Sequence, residues 1–493
     1  MKLSKHTLQE IEFPKGTAVP PSNIFTLPEK VLQFGTGILL RGLIDYFIDK
    51  ANRQGVFNGR VVVIKSTDRG GADEFQEQDG LYTHVVRGIQ EGKTVDQTIV
   101  NSSISRVLSA KSEWEEIMKC TINPDIEVIV SNTTEVGIAL LDGDKITAKP
   151  PTSFPGKLLA ILQARYTAGL PGFVIVPTEL IVDNGQKLKD IVLALAKQNQ
   201  LDTAFIKWIS EANQFCSSLV DRIVPGKLPD TDRNFDYADD LAILSEPYSL
   251  WAIEAAHQRV AEALSFAKAD KGVVISPDIT KYRELKLRLL NGTHTLSSGI
   301  GVLAGIETVK EGMKDEALSG FIETLMMQEL APAISGPSLS VDEARDYGQT
   351  VLDRFRNPFI QHKWLSITLQ YSSKIKMRDV PVLLKHYEHN SEAPKLFALG
   401  FAAFIRFMKS EAKGEVYYGN ANRKEYLIQD DKAGYLSDLW KKHGEEKIAN
   451  AVLRDESLWG TDLTRLPGFE KDVTEKLSLI SSGGMRAALQ TVL

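Results

Sequence analysis

Residues 30–52 read KVLQFGTGILLRGLIDYFIDKAN, and this stretch decides the fold. It begins with a short apolar run at Lys30–Phe34, which is typical of a buried strand. Gly35-Thr36-Gly37 follows, and residues 38–52 then carry apolar side chains at helical spacing. A strand, a glycine turn and a helix in this order predict the phosphate-binding turn of a dinucleotide-binding domain, because the N–H groups at the helix start face the pyrophosphate.

Strand-like and helix-like segments continue to alternate over the first half of the chain. Further strands are predicted at residues 60–64, 82–87, 126–130 and 172–176, and helices at residues 157–166, 186–198 and 203–214. Continuous apolar strands that alternate with amphipathic helices indicate a parallel sheet covered by helices on both faces. We therefore predict an α/β domain over residues 1–278, a doubly wound, Rossmann-type dinucleotide-binding domain.

The second half of the chain has a different pattern, with almost no strand signals after about residue 281. Helical periodicity recurs at residues 299–309, 317–329, 342–356, 393–409 and 446–453. Prolines separate these segments, as expected at helix boundaries. The pattern predicts an all-α C-terminal domain over residues 279–493, and the candidate substrate and catalytic residues Lys286, Asn291, His294 and Lys374 fall within it.

Composition narrows the class of protein. The chain has 493 residues, a hydrophobic fraction of 43% and a net charge of -6, which is ordinary for a soluble enzyme and unlike a basic nucleic-acid-binding protein. Its two cysteines, Cys120 and Cys216, are too few for a disulfide framework and indicate a reducing compartment. We find no apolar signal segment and no membrane-spanning run. We expect a cytoplasmic enzyme, monomer or small homo-oligomer, with a small-molecule substrate and no nucleic-acid or membrane partner.

The glycine turn and the second strand bear on the cofactor. Leu40 stands where the third glycine of the usual pattern would be, which predicts a looser contact between helix and strand. Asp68 is the only acid at the end of the second strand, later than the usual position about 20 residues after the turn. It could bind the adenosine ribose or simply cap a helix, whereas Lys65 and Ser66 could accommodate the 2′-phosphate of NADP. We favour NAD.

Residues 281–301 read KYRELKLRLLNGTHTLSSGIG and contain Lys286, Asn291 and His294 among leucines. A helix of 3.6 residues per turn would place the three side chains within one arc. Desolvation among apolar residues can lower the pKa of a lysine toward neutrality, and such a lysine could exchange a proton with an alcohol while the asparagine and the histidine stabilise the alcohol oxygen. Asn291-Gly292 suggests a local break. The alternative is an ordinary helix end with a solvated lysine, an Asn-Gly cap and a buried imidazole, and spacing alone favours it.

Several ordered motifs resemble the polyol-specific long-chain dehydrogenases, the mannitol dehydrogenase family, over nearly the whole chain. Each motif is modest, and their order and spacing carry the resemblance. In chain order they are Gly35-x-Gly37-x-x-x-Arg41, Leu81-Tyr82-Thr83 with Arg87-Gly88, SNTTEVG at 131–137, PTEL at 177–180 with Asn184-Gly185, VDRI at 220–223, SEPY at 245–248, Lys286-x4-Asn291-Gly292-x-His294, and SSK at 372–374.

The resemblance implies roles for individual residues. Lys286 would be the general acid/base, and Asn291 and His294 would bind and polarise the reacting oxygen. The implied substrate-pocket positions are Asn184, Asp221 and Lys374. The candidate cofactor-binding residues are Phe34, Gly35, Gly37, Arg41, Asp68, Thr134 and Glu135. The family works without a metal, and the sequence has no H-E-x-x-H or paired Cys/His cluster that would add one. The implied site lies between the two domains.

Departures from the family pattern bear on the substrate. Residues 37–43 lack the Phe and His of the G-x-F-x-R-A-H stretch of mannitol and fructuronate enzymes, and Gln370-Tyr371 replaces an Asp-Gly. The Q-F-G-x-G start and Arg356-Asn357-Pro358 with His362 resemble the tagaturonate reductase branch. We therefore expect NADH-dependent reduction of tagaturonate to altronate, with fructuronate reduction or mannitol oxidation as alternatives.

Two further questions stay open at this point. A hexuronate carboxylate needs a cation, and Lys374 is one candidate; Lys376 and Arg378 are others, unless they are solvated helix charges. Outside the class, the chain could be a catalytically inactive NAD(H)-binding sensor or a different lysine-dependent dehydrogenase of hydroxy acids. The complete lysine, asparagine and histidine set argues against a sensor.

Overall fold

The computed structural model describes residues 1–66, 73–133 and 136–491. The chain forms two compact units. The first comprises Met1–Arg87 and Thr94–Ile279, and the second comprises Gly88–Lys93 and Thr280–Leu493.

The strands within the described ranges follow in chain order. They are β1 (Glu29–Phe34), β2 (Arg60–Lys65), β3 (Tyr82–Gln90), β4 (Lys93–Asn101), β5 (Ile104–Ser109), β6 (Val128–Ser131), β7 (Val174–Pro177), β8 (Gln214–Phe215), β9 (Ser218–Asp221), β10 (Gly226–Lys227), β11 (Ile243–Ser245), β12 (Leu250–Glu254), β13 (Val273–Ser276), β14 (Ser410–Lys413), β15 (Val416–Ala421) and β16 (Lys424–Ile428).

The helices of the first unit are short or of medium length. The α-helices are Ile38–Gly42, Ile44–Arg53, Asp73–Glu77, Trp114–Thr121, Phe154–Thr167, Asn184–Gln198, Thr203–Ala212 and Gln258–Ala263, and the 3₁₀ turns are Ser22–Thr26, Asp230–Asp232 and Ser265–Ala269. The predicted helix over residues 38–52 is thus two helices, which meet at Leu43 (φ -128°, ψ -67°).

The main sheet of the first unit confirms the predicted doubly wound fold. Its order is β5-β2-β1-β6-β7-β8, with every neighbouring pair parallel. Counted within this sheet the order is 3-2-1-4-5-6, the dinucleotide-binding order. Alternate residues of β2 enter different cores, Val61 and Val63 on one face and Val62 and Ile64 on the other. This explains the uninterrupted apolar run in the sequence.

One predicted strand lies elsewhere. The segment over residues 82–87 is a strand, β3, but it belongs to a separate four-stranded sheet of order β10-β11-β3-β4. The third strand of the parallel sheet is instead β5, Ile104–Ser109, which the sequence reading missed. Its sequence, ISRVLS, has no continuous apolar run, because the polar residues Ser105 and Arg106 are partly solvated at this edge of the sheet.

The second unit is rich in helices, as predicted. Its α-helices are Thr280–Glu284, Thr293–Leu303, Val309–Gly312, Glu316–Thr324, Ala331–Ile334, Val341–Phe355, Trp364–Ile367, Tyr371–Lys374, Val380–His389, Lys395–Phe407, Ala433–Leu453, Glu456–Trp459 and Phe469–Gln490, with a 3₁₀ turn at Leu463–Arg465. Three π-helical segments join some of them: Leu285–Gly292, Leu325–Leu330 and Ile375–Asp379. In the described residues, no helix combines the length and apolarity needed to cross a membrane.

The second unit is not all-helical, and this corrects the sequence prediction. Strands β14, β15 and β16 form an antiparallel sheet. Two tight turns connect them, one through Gly414 (φ 66°) and one through Asn422 and Arg423 (φ 53° and 63°). Positive φ at both central residues is typical of a type I′ hairpin turn, but Asn-Arg is a weaker sequence signal for this turn than Asn-Gly.

Candidate functional site

The predicted cofactor-binding turn lies at the carboxyl ends of β1 and β6 in the first unit. These are the neighbouring strands at which the order of the parallel sheet reverses, and nucleotides bind in the crevice outside such a point. Phe34 of β1 pairs in register with Ser131 of β6, and Asn132 N donates to Phe34 O at 3.0 Å. The glycine turn and the loop after β6 therefore start side by side.

The two glycines of the turn do different work. Gly35 has φ 130°, and a Cβ added there would lie 2.9 Å from Leu40 Cδ1 and 3.1 Å from Asn132 O. Gly37 precedes the first helix in an extended conformation, and a Cβ added there would have no atom within 4 Å. The chain therefore needs a glycine at 35 to make the turn, whereas the glycine at 37 leaves open a space that a side chain would fill. A pyrophosphate fits such a space.

The predicted loosening at Leu40 is wrong. This side chain is fully buried and packs directly against Gly35. In the usual pattern the third glycine lets the helix pack closely against its neighbour. Here Gly42 has this part, since an added Cβ would lie 2.7 Å from Val224 Cγ2. Leu40 thus fills the space under the turn. Gly42 allows the helix to approach the segment that contains Val224.

Two other predicted cofactor residues, Phe34 and Arg41, have buried side chains next to the turn in the sequence. The Phe34 ring is fully buried and lies 4.9 Å from the Phe154 ring, centroid to centroid. The buried guanidinium of Arg41 donates to Leu241 O and lies 5.5 Å from the Tyr82 ring. Both side chains therefore contribute to packing. The remaining candidates, Asp68, Thr134 and Glu135, lie outside the described residues.

A buried glutamate and a buried asparagine hold the loops after β6 and β7. Glu179 accepts hydrogen bonds from Thr133 N at 2.8 Å and from Ser131 Oγ at 3.1 Å, so it secures the loop beside Gly35. Asn184 Nδ2 lies 3.1 Å from both Pro177 O and Ser218 O, and its Oδ1 accepts from Ser218 N at 2.9 Å. These bonds give Asn184 a structural part between β7 and β9, and its predicted substrate contact stays a prediction.

Sequence reasoning quoted the VDRI motif but gave Arg222 no role. Asp221, the predicted substrate residue, is buried at the end of β9. Next to it the buried Arg222 donates through Nη1 to Gly42 O at 2.7 Å and through Nε to Glu246 O at 2.9 Å. Arg222 therefore holds the C-terminal end of the first helix. The available signal was a charged pair, Asp221-Arg222, within the apolar run of residues 219–224.

The predicted catalytic residues lie on a continuous helical run in the second unit. Thr280–Glu284 leads into the π-helical segment Leu285–Gly292, which continues as Thr293–Leu303. Gly292 has helical dihedrals (φ -65°, ψ -49°), so the predicted break at this residue is wrong. Gly292 instead allows a close approach, since a Cβ added there would lie 2.8 Å from Asp379 Oδ1.

The π-helical segment also changes how the predicted catalytic residues align. In an α-helix, residues five apart are about 140° apart around the axis, so Lys286 and Asn291 would face different directions. In a π-helix, hydrogen bonds join residues i and i+5, so these two residues stack on one face. His294 lies three residues after Asn291, in the α-helix that follows, and residues three apart on a helix are neighbours on its surface. The π turn, and not a period of 3.6, aligns the set.

His294 is buried in an aromatic and cationic environment. Its ring stacks on the Phe355 ring at 4.0 Å with an interplanar angle of 10°, and the His362 ring lies edge-on at 5.1 Å. Burial holds the pKa of His294 well below its usual range. The neighbouring basic groups His362, Arg354, Arg378 and Lys374 lower the pKa of His294 further. The imidazole is therefore neutral at physiological pH, and within the described residues its Nε2 has no hydrogen-bond partner.

The predicted cations differ in their environments. Lys374 is half-buried, and its Nζ donates to Ile367 O at 2.8 Å. Burial, followed by the charge of Arg378, lowers the pKa of Lys374 to about 8. Lys376 is exposed, so it is a solvated helix charge. Arg378 is half-buried, and burial lowers its pKa.

Lys286 itself is partly buried, between the buried leucines 285 and 289. It shares the π-helical face with Asn291, which is also partly accessible. As for metals, the described parts of the chain hold no group of three or more His, Cys, Asp or Glu side chains suited to bind an ion.

Comparison with known proteins covers both units. The family model of the mannitol dehydrogenase Rossmann domain matches residues 29–265, and that of the mannitol dehydrogenase C-terminal domain matches residues 278–481. An altronate oxidoreductase of Halalkalibacterium halodurans is 40% identical over 484 residues, 95% of this chain and 94% of the relative. The altronate oxidoreductase of Bacillus subtilis is 36% identical over 475 residues, 94% of this chain and 95% of the relative.

Two solved structures share the fold. Pseudomonas fluorescens mannitol 2-dehydrogenase, in a ternary complex with NAD and D-mannitol, superposes with a TM-score of 0.70 at 23% identity, covering 100% of this chain and 99% of that one. A D-sorbitol dehydrogenase in substrate-free form gives a TM-score of 0.76 at 21% identity, covering 99% of this chain and 100% of that one. At these identities the likeness concerns the fold alone.

Proposed function

The chain belongs to the mannitol dehydrogenase family and is an oxidoreductase, and we propose that it reduces tagaturonate to altronate with NADH. The observation that supports this proposal is the place of Lys286 and Asn291, five residues apart in the π-helical segment, with His294 three residues further on in the α-helix. A lysine, an amide and a neutral imidazole on one face form a set that can handle an alcohol oxygen.

In this proposal the nucleotide is held by the turn at Gly35 and Gly37, and when bound, NADH supplies the hydride. The ammonium of Lys286 gives its proton to the oxygen of the substrate keto group as that oxygen becomes an alkoxide. Asn291 and His294 donate hydrogen bonds to the same oxygen, where negative charge grows. The lysine is left neutral and regains its proton from solvent before the next turnover.

Two observations support a sugar acid as the substrate. Relatives named altronate oxidoreductase are 36–40% identical over nearly the full length. In addition, Lys374 and Arg378 are half-buried cations beside His294, where a neutral polyol would leave them uncompensated. Fructuronate carries the same charge, so only turnover can separate the two acids.

The two free cysteines are both buried, which agrees with the proposed cytoplasmic location.

The proposal is tested by following NADH oxidation with purified protein against tagaturonate, fructuronate and fructose. We expect the highest kcat/KM with tagaturonate. A higher value with fructuronate would reassign the substrate within the family. Binding of NADH without turnover of any of the three would instead indicate a sensor.

Substitution of the two turn glycines should separate folding from cofactor binding. Gly35→Ala forces a Cβ against Leu40 Cδ1 and Asn132 O at a positive φ, so we expect a loss of about 1–3 kcal/mol in unfolding free energy together with weaker NADH binding. Gly37→Ala meets no atom within 4 Å, so its melting temperature should equal that of the wild type.

The discriminating measurement is NADH affinity, followed by fluorescence. Gly37→Ala should raise the Kd for NADH about 10-fold or more, because the methyl group enters the space proposed for the pyrophosphate. Gly336→Ala is the matched control: Gly336 is exposed, has no positive φ and, like Gly37, has no atom within 4 Å of an added Cβ. Wild-type NADH affinity in Gly37→Ala would contradict the proposed cradle.

The pKa of Lys374 predicts a pH dependence. Because burial and Arg378 lower this pKa to about 8, the ammonium loses its proton, and with it the positive charge, as the pH rises through 8. We expect the ratio of kcat/KM for tagaturonate to kcat/KM for the uncharged ketose tagatose to fall several-fold between pH 7 and pH 9.5. The ratio cancels the titration of groups that act on both substrates. Lys374→Arg, which keeps its charge, should flatten it, and an unchanged profile would exclude Lys374 from acid binding.

A further inference from the structure

The second unit contains two half-buried cations, Lys374 and Arg378, whose side-chain hydrogen bonds in the described part of the chain include none to a carboxylate. Within the described residues, Arg378 donates one side-chain hydrogen bond, from Nη1 to Thr295 Oγ1 at 3.1 Å, which leaves four of its five N–H donors unused. Lys374 donates one, to a backbone carbonyl, Ile367 O. Half-buried cations without a carboxylate partner are rare in protein interiors unless they serve a ligand.

The neighbouring acid does not fill this role. Asp379 follows Arg378 directly, but both of its carboxyl oxygens lack a hydrogen-bond partner among the described residues. Burial raises the pKa of Asp379 well above its usual range, and this favours the uncharged carboxyl. An uncharged carboxyl cannot neutralise a guanidinium, so the charge of Arg378 is left for something else.

The position of Arg378 connects it with the predicted catalytic set. Its partner Thr295 is next to His294 in the chain and donates to Asn291 O at 2.7 Å. Arg378 and Lys374 both act electrostatically on His294. The two cations therefore lie close enough to the His294 imidazole to act on its charge.

We propose that Arg378, together with Lys374, binds the carboxylate of the sugar acid, and that Arg378 is the residue that selects an acid over a neutral sugar. This inference rests on the proposed function and adds the group that recognises the charged end of the substrate. A guanidinium presents two parallel N–H groups that match the two oxygens of a carboxylate, whereas an ammonium offers only a point charge. Arg378 therefore sets the orientation of the acid, and Lys374 adds charge.

The test is Arg378→Met, which keeps the length and apolar stem of the side chain and removes the guanidinium. Tagaturonate and tagatose differ in the carboxylate, for which tagatose has a hydroxymethyl group. We expect kcat/KM for tagaturonate to fall about 100-fold, mainly through KM, and kcat/KM for tagatose to stay within about twofold. Arg378→Lys should give an intermediate loss, and Lys376→Met, at an exposed position of the same segment, should have no effect.

A merely structural role for Arg378 predicts a different result. If Arg378 only positioned Thr295 and Asn291, both substrates would lose activity equally and the melting temperature would fall. If it binds the acid, removal of an uncompensated buried charge should leave the melting temperature unchanged or higher. Equal losses on both substrates, or no loss on tagaturonate, would overturn the inference.

Binding of the product separates this inference from the proposed function. Altronate cannot react with the NADH-bound enzyme, so calorimetry reports its affinity without turnover. We expect wild-type enzyme to bind altronate more tightly than the uncharged altritol, and Arg378→Met to lose this preference. If altronate binds in this way but tagaturonate is not reduced, the proposed reaction fails and the acid site stands. If the wild type shows no preference for altronate, the acid site is refuted even where tagaturonate is reduced.

Discussion

Lys286→Ala is expected to lower kcat for tagaturonate reduction about 10³-fold while the Kd for NADH stays unchanged. General acid catalysis by a positioned side chain contributes about 10²–10⁴-fold, and the alkoxide would otherwise have to take its proton from water. Lys286 is partly buried on the π-helical face, whereas the nucleotide turn belongs to the other unit. The loss should therefore appear in the chemical step, measured by single-turnover oxidation of NADH.

A matched control lies one and a half turns earlier on the same helical run. Lys281 is partly exposed and pairs with Glu343 at 3.4 Å, so Lys281→Ala removes a lysine from the same run without touching the proposed proton donor. Its kcat should stay within about twofold of wild type, since exposed ion pairs contribute little. If Lys286→Ala kept more than a tenth of the wild-type kcat, another group would have to be the acid.

Asn291→Ala is expected to lower kcat about 10²–10³-fold, as does removal of one donor from an oxyanion site. The reason is its place in the π-helical segment, five residues from Lys286, where both side chains can reach one oxygen. Because the two groups would act on the same charge, their effects should not add. The double variant should lose scarcely more than Lys286→Ala alone.

Additive losses in the double variant would show that Asn291 acts independently of the lysine, for example by holding the helix. The melting temperature provides the control for such a structural part. Asn291 is partly accessible, so its replacement should shift the melting temperature little. A large drop in stability with additive kinetics would contradict the shared-oxygen arrangement.

The division of the chain into a sheet-based and a helix-rich unit was predictable because local patterns determine it. The apolar runs of β1, β2 and β7 are buried on both faces, and such strands read as continuous hydrophobic segments. Where a strand is partly solvated this signal fades: β5 at the edge of the sheet and the β14–β16 hairpins were missed for this reason. The predicted site residues came mostly from ordered motifs, since spacing alone favoured a plain helix end.

By itself the sequence determined the parallel sheet, the glycine turn after its first strand, and the presence of one lysine, asparagine and histidine close together in the chain. The folded structure adds that the helix carrying them continues through Gly292 in a π turn, that Leu40 fills the space beneath Gly35, and that Arg378, among the described residues, donates its side-chain hydrogen bond to Thr295 and not to a carboxylate. The two kinds of feature differ in how far apart in the chain the interacting residues lie. Burial patterns are written in neighbouring residues, whereas helix register and charge compensation depend on groups such as Asp379 that come close only when the chain is folded.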